Sequence, residues 1–395
     1  MTDSSRHPRA DALIQVEKIA SGGAGLGRLN GKVVFIPYTL PGETVRVQIV
    51  REKKDYARAQ VLEIIKASPL RREPECPLFG LCGGCDFQHT DYEEQKNIKL
   101  RMVQETFKRI GRVEPGEILF EQSAPFGCRS RVQLHRTPDG ELPWGFKKAA
   151  SDECVPVRHC PAAVPEINDF LAGEAGKAAG RDFHGGSDGS SGSGGGRIHV
   201  FGSGGRTAFR KDDEIRLTLC GKDIVFSPEC FFQSNIPLLE KLIGRAFNGL
   251  SGSRALDIYG GVGTFAAFLE DRFRNVISIE ENPLSSSYAR RNLNPDTTRV
   301  FTGSVEDWIA GSADAQTPPD LIVADPPRAG LSGAVRAFLK KTGSPLILYV
   351  SCDAGTLARD SAFLLENGYT LDQYRLFDFY PQTAHVESLC RFTRN

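Results

Sequence analysis

A cysteine with the surroundings of a nucleophile lies near the C-terminal end of the chain. Cys352 follows the apolar run Pro-Leu-Ile-Leu-Tyr-Val at residues 345–350, and a helical pattern begins at Gly355. The cysteine should therefore lie at the C-terminal end of a buried strand, where open α/β sheets bind their ligands. A strand end beside a helix start can also favour the nucleophilic thiolate. We predict a nucleophilic role for Cys352, although an isolated cysteine is more often a small core residue.

A glycine-rich loop of the same region has the pattern of a nucleotide site. Gly261-Val-Gly263-Thr-Phe-Ala266 is G-x-G-x-x-A between a predicted strand and a predicted helix, and Glu280 ends the next predicted strand. Glycines let the backbone approach a bound nucleotide closely, and a carboxylate after the next strand binds ribose hydroxyls. The pattern fits NAD and S-adenosylmethionine (SAM) equally, because both contain an adenosine ribose.

The motif Asp325-Pro-Pro-Arg328 favours SAM over NAD. Two prolines after an acidic residue at a strand end make a rigid turn beneath a cofactor and a substrate. Methyltransferases that act on exocyclic amines carry an aromatic residue after Asp-Pro-Pro, where this chain has Arg328. The motif therefore disfavours an amine acceptor and favours a carbon acceptor that a cysteine activates.

Four cysteines are predicted to hold a metal cluster: Cys76, Cys82, Cys85 and Cys160. Four thiolates suit either a [4Fe–4S] cluster or structural zinc. Zinc sites usually contain pairs with the spacing C-x2-C, whereas the first three cysteines here follow C-x5-C-x2-C. The spacing also differs from the C-x3-C-x2-C of radical-SAM clusters. We therefore favour a [4Fe–4S] cluster of another kind, and Cys154 and Cys128 are alternatives to Cys160 as the fourth ligand.

Charge and composition point to a polyanionic partner. The 395 residues include 49 basic and 49 acidic side chains, but residues 1–72 hold 13 Lys and Arg against 7 Asp and Glu. A basic segment beside a near-neutral body suits a nucleic acid. Ten cysteines without a leading apolar segment, and no run of ~20 apolar residues, indicate a reducing cytoplasmic location.

The elements that must position these residues divide the chain into three predicted domains. Residues 1–68 contain short alternating strands and the hairpin dipeptide Asn30-Gly31, which predict a small β-barrel with Arg46, Arg51, Lys53, Lys54 and Arg58 on a basic face. Residues 69–222 form a central α+β domain with the cysteines, a basic helix at 91–109 and a flexible Gly/Ser-rich loop at 185–196. Residues 223–395 alternate strands and helices, as in a doubly wound, Rossmann-like α/β domain.

Together the motifs resemble the RNA uracil-5 methyltransferase family, whose SAM-dependent members make 5-methyluridine in 23S rRNA and tRNA. Residues 11–66 resemble the family's TRAM domain, an RNA-binding barrel of OB-like type. The other matching segments are Phe231–Asn235, Asp257–Phe265, Asp325–Gly330, Ser351–Asp360, Tyr380–Glu387 and the four cysteines. The resemblance covers nearly the whole chain.

The resemblance implies a role for each site residue. Cys352 is the nucleophile and Glu387 the general base. The residues implied to contact SAM are Gln233, Tyr259, Glu280 and Asp325, with Thr264 and Ser304 as weaker candidates. The chain departs from the family where Asp353-Ala354 replaces the frequent Asn-Pro, and we expect the added carboxylate to raise the pKa of the neighbouring thiol.

The implied reaction is methylation of uracil C5 in RNA, with 23S rRNA favoured over tRNA by the barrel and cluster together. Attack of the Cys352 thiolate on C6 makes C5 nucleophilic, and a base then removes the C5 proton. The uracil must leave its stack to reach the site. We expect the chain to act as a monomer that binds RNA and no membrane. A tRNA methyltransferase, a nicotinamide oxidoreductase and a non-catalytic RNA-binding protein are the alternatives.

Overall fold

The computed structural model describes residues 11–182 and 196–394, and the chain forms two compact units. The smaller unit extends to Val103 and includes residues 147–153 and 382–384. The larger unit contains residues 104–146, 154–381 and 385–395. The predicted Gly/Ser-rich loop at 185–196 lies, except for Gly196, outside the described residues.

The smaller unit contains a closed five-stranded barrel in the order β1-β2-β3-β5-β4, with β4 paired back to β1. The strands are β1 (Asp11–Ile19), β2 (Gly25–Leu29), β3 (Lys32–Ile36), β4 (Thr44–Glu52) and β5 (Tyr56–Lys66). Alternate residues face a small apolar core, and Val45, Val47 and Ile49 of β4 are buried there as the alternation predicts. The predicted barrel is confirmed.

The predicted basic helix is α1 (Tyr92–Thr106), which continues as a π-helical turn over Phe107–Gly111. Its predicted apolar stripe, which consists of Ile98, Met102, Val103 and Phe107, is buried. The stripe recurs at helical spacing, so one face of the helix packs inward. Glu93, Arg101 and Glu105 are exposed, whereas Lys99 is fully buried.

The first part of the larger unit mixes strands and helices, as predicted for a central α+β region. Its strands are β6 (Ile118–Glu121), β7 (Arg131–Arg136), β8 (Trp144–Lys147), β9 (Cys154–Pro156), β10 (Arg197–Ser203), β11 (Arg206–Ala208), β12 (Ile215–Leu219) and β13 (Lys222–Phe226). Its helices are α2 (Pro165–Ala172) and α3 (Glu174–Asp182). A five-stranded sheet has the order β11-β10-β7-β8-β9, and β12 and β13 form a separate hairpin.

The remainder of the larger unit alternates strands and helices, as the sequence predicts. Its strands are β14 (Gly252–Ile258), β15 (Phe273–Glu280), β16 (Thr298–Thr302), β17 (Leu321–Ala324), β18 (Leu346–Ser351), β19 (Thr370–Phe377) and β20 (Glu387–Thr393). Its helices are α4 (Ile236–Phe247), α5 (Thr264–Leu269), α6 (Pro283–Asn292), α7 (Val305–Gly311), α8 (Gly333–Thr342) and α9 (Ala354–Glu366), with a 3-10 turn at Ala313–Gln316. All residues of β17 are buried, as expected for a strand covered on both faces.

These strands form an eight-stranded sheet in the order β16-β15-β14-β17-β18-β20-β19-β6. Starting from β14, the next two strands along the chain, β15 and β16, extend the sheet to one side, and β17 and β18 extend it to the other. Doubly wound sheets bind ligands in the crevice at this change of side. β20 runs antiparallel to both of its neighbours, β18 and β19. β6 joins as an edge strand parallel to β19, which the sequence did not predict. Because β20 is antiparallel, it begins at the edge where the parallel strands end.

In the described part of the chain, no helix is both long and apolar enough to cross a bilayer.

Candidate active site

The strand ends bring five predicted site residues to one edge of the sheet. In the order of the strands, these residues are Glu280 on β15, Tyr259 after β14, Asp325 after β17, Cys352 after β18 and Glu387 on β20. Neighbouring strands are in register here, since Ile258 pairs with Ala324 and Ser351 pairs with Ser388. Only the antiparallel direction of β20 allows its first residue to lie beside the residue that follows β18.

The cofactor half of the edge is built around the glycine loop. Tyr259 adopts a left-handed conformation with φ of +66°, which is unusual for a residue with a side chain and frequent at functional sites. Gly263 has φ of +84°, and a Cβ there would approach Leu293 Cδ1 to 2.9 Å. Glu280 accepts hydrogen bonds from the backbone N–H of Gly261 at 2.8 Å and of Asn282 at 2.7 Å. Its carboxylate therefore holds the loop in place.

A buried acid that the sequence analysis did not assign supports the same loop. Asp257 is fully buried and accepts a hydrogen bond from the N–H of Ala266 at 3.1 Å, at the start of α5. Burial raises the pKa of Asp257 to about 7, and the nearby Asp325 and Glu280 add to the rise. Its signal in the sequence is an acidic residue inside an otherwise apolar strand.

The other predicted SAM contacts differ in how their side chains are engaged. Gln233 is buried, and within the described residues its Oε1 has no hydrogen-bond partner, which fits a ligand contact. Thr264 is the first residue of α5. Ser304 caps α7, since its Oγ accepts from the N–H of Asp307 at 3.0 Å and donates to the Asp307 carboxylate at 2.6 Å. The hydroxyl of Ser304 is therefore already used within the protein.

Cys352 and Glu387 form the catalytic half of the edge. Glu387 is 2 % exposed, and in the described structure its Oε1 has no hydrogen-bond partner. Burial raises the pKa of Glu387 well above its usual range, Asp325 raises it further, and Arg328 lowers it. Burial raises the pKa of Asp325 to about 7. Ionisation of either carboxyl group, the buried Glu387 or the half-buried Asp325, therefore disfavours ionisation of the other.

The thiol of Cys352 is not acidic in the protein by itself. Burial raises its pKa to about 11, with further increases from Glu387 and Asp325, whereas Arg328 lowers it. The expectation of a favoured thiolate at this strand end is therefore wrong for the protein alone. The carboxylates that raise the pKa are Glu387 and Asp325 rather than the predicted Asp353, whose Oδ1 caps α9 by accepting from the N–H of Thr356 at 2.8 Å.

Arg328, Tyr380 and Arg129 also surround this pair. Arg328 is an exposed cation that lowers the pKa of both Cys352 and Glu387. Burial and then Glu387 raise the pKa of Tyr380, and the Arg129 guanidinium lies 5.9 Å from the centre of its ring. The sequence analysis noted Arg328 as part of the Asp325-Pro-Pro motif but did not predict that its charge would act on Cys352. Arg129 lies in no motif that the sequence analysis used.

The predicted cluster cysteines are half-buried thiols, and they are divided between the two units. Cys76, Cys82 and Cys85 belong to the smaller unit. Burial and then Asp86 raise the pKa of Tyr38 there, and Cys82 and Cys85 add smaller increases. Cys160 belongs to the larger unit, and its N–H donates to Asn168 Oδ1 at 2.7 Å. Among residues 11–182 and 196–394, no three Cys, His, Asp or Glu side chains are grouped so that they could hold a metal ion.

The basic face of the barrel is smaller than predicted. Arg46 donates to Asp11 at 3.0 Å and to Glu63 at 2.9 Å, so its charge is balanced within the barrel. Arg51 and Arg58 are exposed and lie directly opposite each other on β4 and β5. Like charges facing each other across a strand pair are unfavourable unless an anion lies between them. These two arginines are therefore better suited to a phosphate than Arg46.

Comparison with known proteins agrees with this geometry. The model of the TRAM domain matches residues 11–62, and the model of tRNA (Uracil-5-)-methyltransferase matches residues 316–394. A protein of Treponema denticola named "Uncharacterized RNA methyltransferase" is 33 % identical over 97 % of this chain and 99 % of its own length. The 23S rRNA (uracil(1939)-C(5))-methyltransferase RlmD of Salmonella paratyphi A is 31 % identical over 96 % of each chain. The chain belongs to the RNA uracil-C5 methyltransferase family. The resemblance seen in the sequence and the predicted enzyme class are thereby confirmed.

A solved structure of the same family shares the fold. The tRNA (uracil-54, C5)-methyltransferase of Pyrococcus abyssi, solved in complex with S-adenosyl-L-homocysteine, has a TM-score of 0.70 and 24 % identity. The match covers 96 % of this chain and 100 % of the other. The predicted combination of a barrel with a methyltransferase domain is confirmed.

Proposed function

We propose that this enzyme transfers a methyl group from SAM to C5 of a uridine in RNA, through a covalent bond between Cys352 and C6. The supporting observation is the juxtaposition of Cys352 and Glu387 at the edge where β18 ends and β20 begins. A nucleophile and a buried carboxyl group with an unused oxygen are the two groups that this reaction needs.

Each group has a defined task in the reaction. The thiolate of Cys352 adds to C6, and the electrons of the C5–C6 double bond move toward C5 and the ring carbonyl. C5 would then form a bond to the methyl carbon of SAM, while the bond between that carbon and the sulfonium sulfur breaks and S-adenosylhomocysteine leaves. The adduct retains the original hydrogen at C5, and Glu387 removes it as a proton while the C6–sulfur bond breaks. A carboxylate whose conjugate acid has a raised pKa is a stronger base, which suits proton abstraction from carbon.

The residues of the cofactor half would hold SAM. The chemistry of the donor set supports this assignment, since Glu280 can accept from ribose hydroxyls beside the glycine loop and the unpartnered Oε1 of Gln233 can accept from the ligand. The proposed contacts are Gln233, Tyr259, Glu280 and Asp325, with Thr264 and Ser304 as weaker candidates. Asp325 lies between the two halves and would face both the cofactor and the uracil.

The favoured substrate is 23S rRNA, because the rRNA enzyme of Salmonella paratyphi A is 31 % identical and matches 96 % of the chain. The barrel would bind the phosphate backbone through Arg51 and Arg58, and the site would receive a uracil displaced from its stack. A tRNA substrate is the alternative, supported by the family model that matches residues 316–394.

Methylation of isolated RNAs tests the choice of substrate. With SAM labelled in its methyl group, we expect label in 5-methyluridine of unmodified 23S rRNA and none in unmodified tRNA. Nuclease digestion and mass spectrometry identify the nucleotide. Labelled tRNA without labelled rRNA would replace the rRNA proposal, and label in neither would contradict the proposed function.

The contribution of the barrel is tested by measuring the affinity of barrel variants for RNA at several salt concentrations. Arg51→Gln with Arg58→Gln should weaken RNA binding and reduce the slope of log affinity against log salt by about 1 to 2, since each phosphate contact contributes about one. Arg46→Gln, whose charge is already balanced by Asp11 and Glu63, should change the slope little. Equal effects of both changes would contradict a specific phosphate contact.

We also propose that Cys76, Cys82, Cys85 and Cys160 bind a [4Fe–4S] cluster, supported by their number and their spacing in the sequence. No step of methyl transfer depends on it, because the reaction involves no net transfer of electrons. A cluster would stabilise the fold or an RNA-binding surface.

Anaerobic purification tests the cluster. The protein should be brown, with broad absorption near ~400 nm from charge transfer between thiolate and iron. Cys160→Ser should lose iron, whereas Cys154→Ser should retain it. A colourless protein with stoichiometric zinc, or equal iron content in both variants, would contradict the proposed ligand set.

A further inference from the structure

The first turns of α9 bind the backbone of the loop that follows Asp325-Pro-Pro. Thr356 Oγ1 donates to the carbonyl of Arg328 at 3.1 Å. Arg359 Nη2 donates to the carbonyls of Ala329 and Leu331, both at 3.1 Å. Because residues 356, 359 and 360 are three and four positions apart, they share one face of the helix. We call Thr356, Arg359 and Asp360 the α9 clamp.

Asp360 connects this clamp to the strand that carries the nucleophile. Its side chain is fully buried, and Oδ2 accepts from the N–H of Leu331 and from the hydroxyl of Tyr349, both at 2.8 Å. Arg336 and Arg359 donate to Oδ1 at 3.0 and 2.9 Å, and they balance the buried charge. Tyr349 lies on β18, three residues before Cys352. One carboxylate therefore joins the loop, the strand and two helices.

The loop lies against the clamp with no free space. Gly330 has φ of +72°, and a Cβ at this position would lie 2.7 Å from Asp360 Oδ2 and 2.8 Å from Thr356 Cβ. Even an alanine would push the loop away from the helix. The chain needs glycine here both for the left-handed backbone and for this close approach.

The residue that the loop presents to the active site is Arg328. Its guanidinium contacts His385 Nδ1 at 3.4 Å. It lowers the pKa of Cys352, against the combined effect of burial, Glu387 and Asp325. A long exposed arginine has many rotamers, so its effect on the thiol depends on where its backbone is held.

We propose that Thr356, Arg359 and Asp360 are positioning residues that fix the Arg328 backbone so that its guanidinium stays beside Cys352 and Glu387. In this proposal the clamp acts on the reaction through Arg328, whose loop it holds by its backbone carbonyls. This inference deepens the proposed function, since it takes Cys352 as the nucleophile.

Alkylation of Cys352 by iodoacetamide, without RNA or SAM, measures the effect directly. The rate follows the thiolate fraction, and the peptide that contains Cys352 can be quantified by mass spectrometry separately from the other nine cysteines. At a pH below the thiol pKa, we expect Thr356→Val and Asp360→Asn to slow alkylation about 3- to 10-fold, because a pKa rise of one unit lowers the thiolate fraction about tenfold. The rate should recover when the pH is raised.

Thr342→Val is the matched control, because Thr342 also donates its hydroxyl to backbone carbonyls, but at the end of α8. It should leave the alkylation rate and its pH dependence unchanged. The melting temperature of each variant, measured by circular dichroism, separates loss of folding from loss of positioning. Thr356→Val keeps the volume of the side chain and stays informative if Asp360→Asn does not fold.

Combination with Arg328→Gln decides whether the clamp acts through Arg328. Once the guanidinium is absent, adding Thr356→Val should cause no further slowing. The proposal is overturned if Thr356→Val alkylates at the wild-type rate, or if it slows alkylation equally with and without Arg328. This measurement needs no methyl transfer, so its result can be interpreted even if the proposed function is wrong.

Discussion

Cys352→Ala should make no 5-methyluridine and no covalent complex with RNA, whereas Glu387→Gln should accumulate such a complex with the methyl group already attached. Without the thiol, C5 is never activated. Without the carboxylate, attack and methyl transfer still occur, but the C5 proton remains and the C6–sulfur bond cannot break. A general base typically contributes about 10²- to 10⁴-fold, so we expect turnover of Glu387→Gln to fall by that amount.

Denaturing gels with SAM labelled in the methyl group distinguish the two failures. Glu387→Gln should give a labelled band of protein joined to RNA, and Cys352→Ala should give none. Cys220→Ala, which alters an exposed cysteine in the turn between β12 and β13, should behave as wild type. A complex with Cys352→Ala would identify another cysteine as the nucleophile, and near-normal turnover of Glu387→Gln would place the base elsewhere, for example at His385.

Glu280→Ala should weaken binding of S-adenosylhomocysteine by about 10- to 100-fold. The change removes the proposed acceptor for the ribose hydroxyls and the two backbone hydrogen bonds that hold the glycine loop. Loss of hydrogen bonds to a charged group costs about 1.5–3 kcal/mol. Calorimetric titration of the purified protein measures the affinity.

The neighbouring carboxylate provides the control for charge. Glu281 is the next residue and is exposed, so Glu281→Ala removes the same charge without removing the proposed ribose acceptor. The affinity of this variant for S-adenosylhomocysteine should remain close to that of wild type. An equal loss of affinity in both variants would mean that only the negative charge matters, and it would contradict a specific hydrogen bond between Glu280 and the ribose. Tight binding of NADH without binding of SAM would instead support the oxidoreductase alternative.

Much of the fold was determined by local sequence signals. The apolar runs at 321–324 and 346–350 became buried parallel strands, because a strand covered on both faces requires apolar residues at nearly every position. The alternation in β4 placed Val45, Val47 and Ile49 in the barrel core. The glycine loop formed between β14 and α5 because its conformation depends on the residues of the loop itself.

Strand order and direction depended on tertiary contacts. Nothing local in the sequence of β20 shows that it pairs antiparallel between β18 and β19, yet this pairing carries Glu387 to the strand ends. Residues 118–121 extend the same sheet, although their four-residue pattern is too short to predict a partner.

The electrostatics of the site also emerged only from the structure. The sequence by itself determined the chemical groups: the thiol of Cys352, the carboxyl group of Glu387, the glycine loop and the barrel that belongs with an RNA substrate. The tertiary structure decided their properties, since it raised the pKa of Cys352 through burial and through carboxylates 27 and 35 residues away in the chain. It likewise balanced Arg46 with Asp11 and Glu63 and placed the α9 clamp beside Arg328. The physical reason is that burial and charge interactions depend on distance in space, which strand pairing and loop packing set and which sequence separation does not reveal.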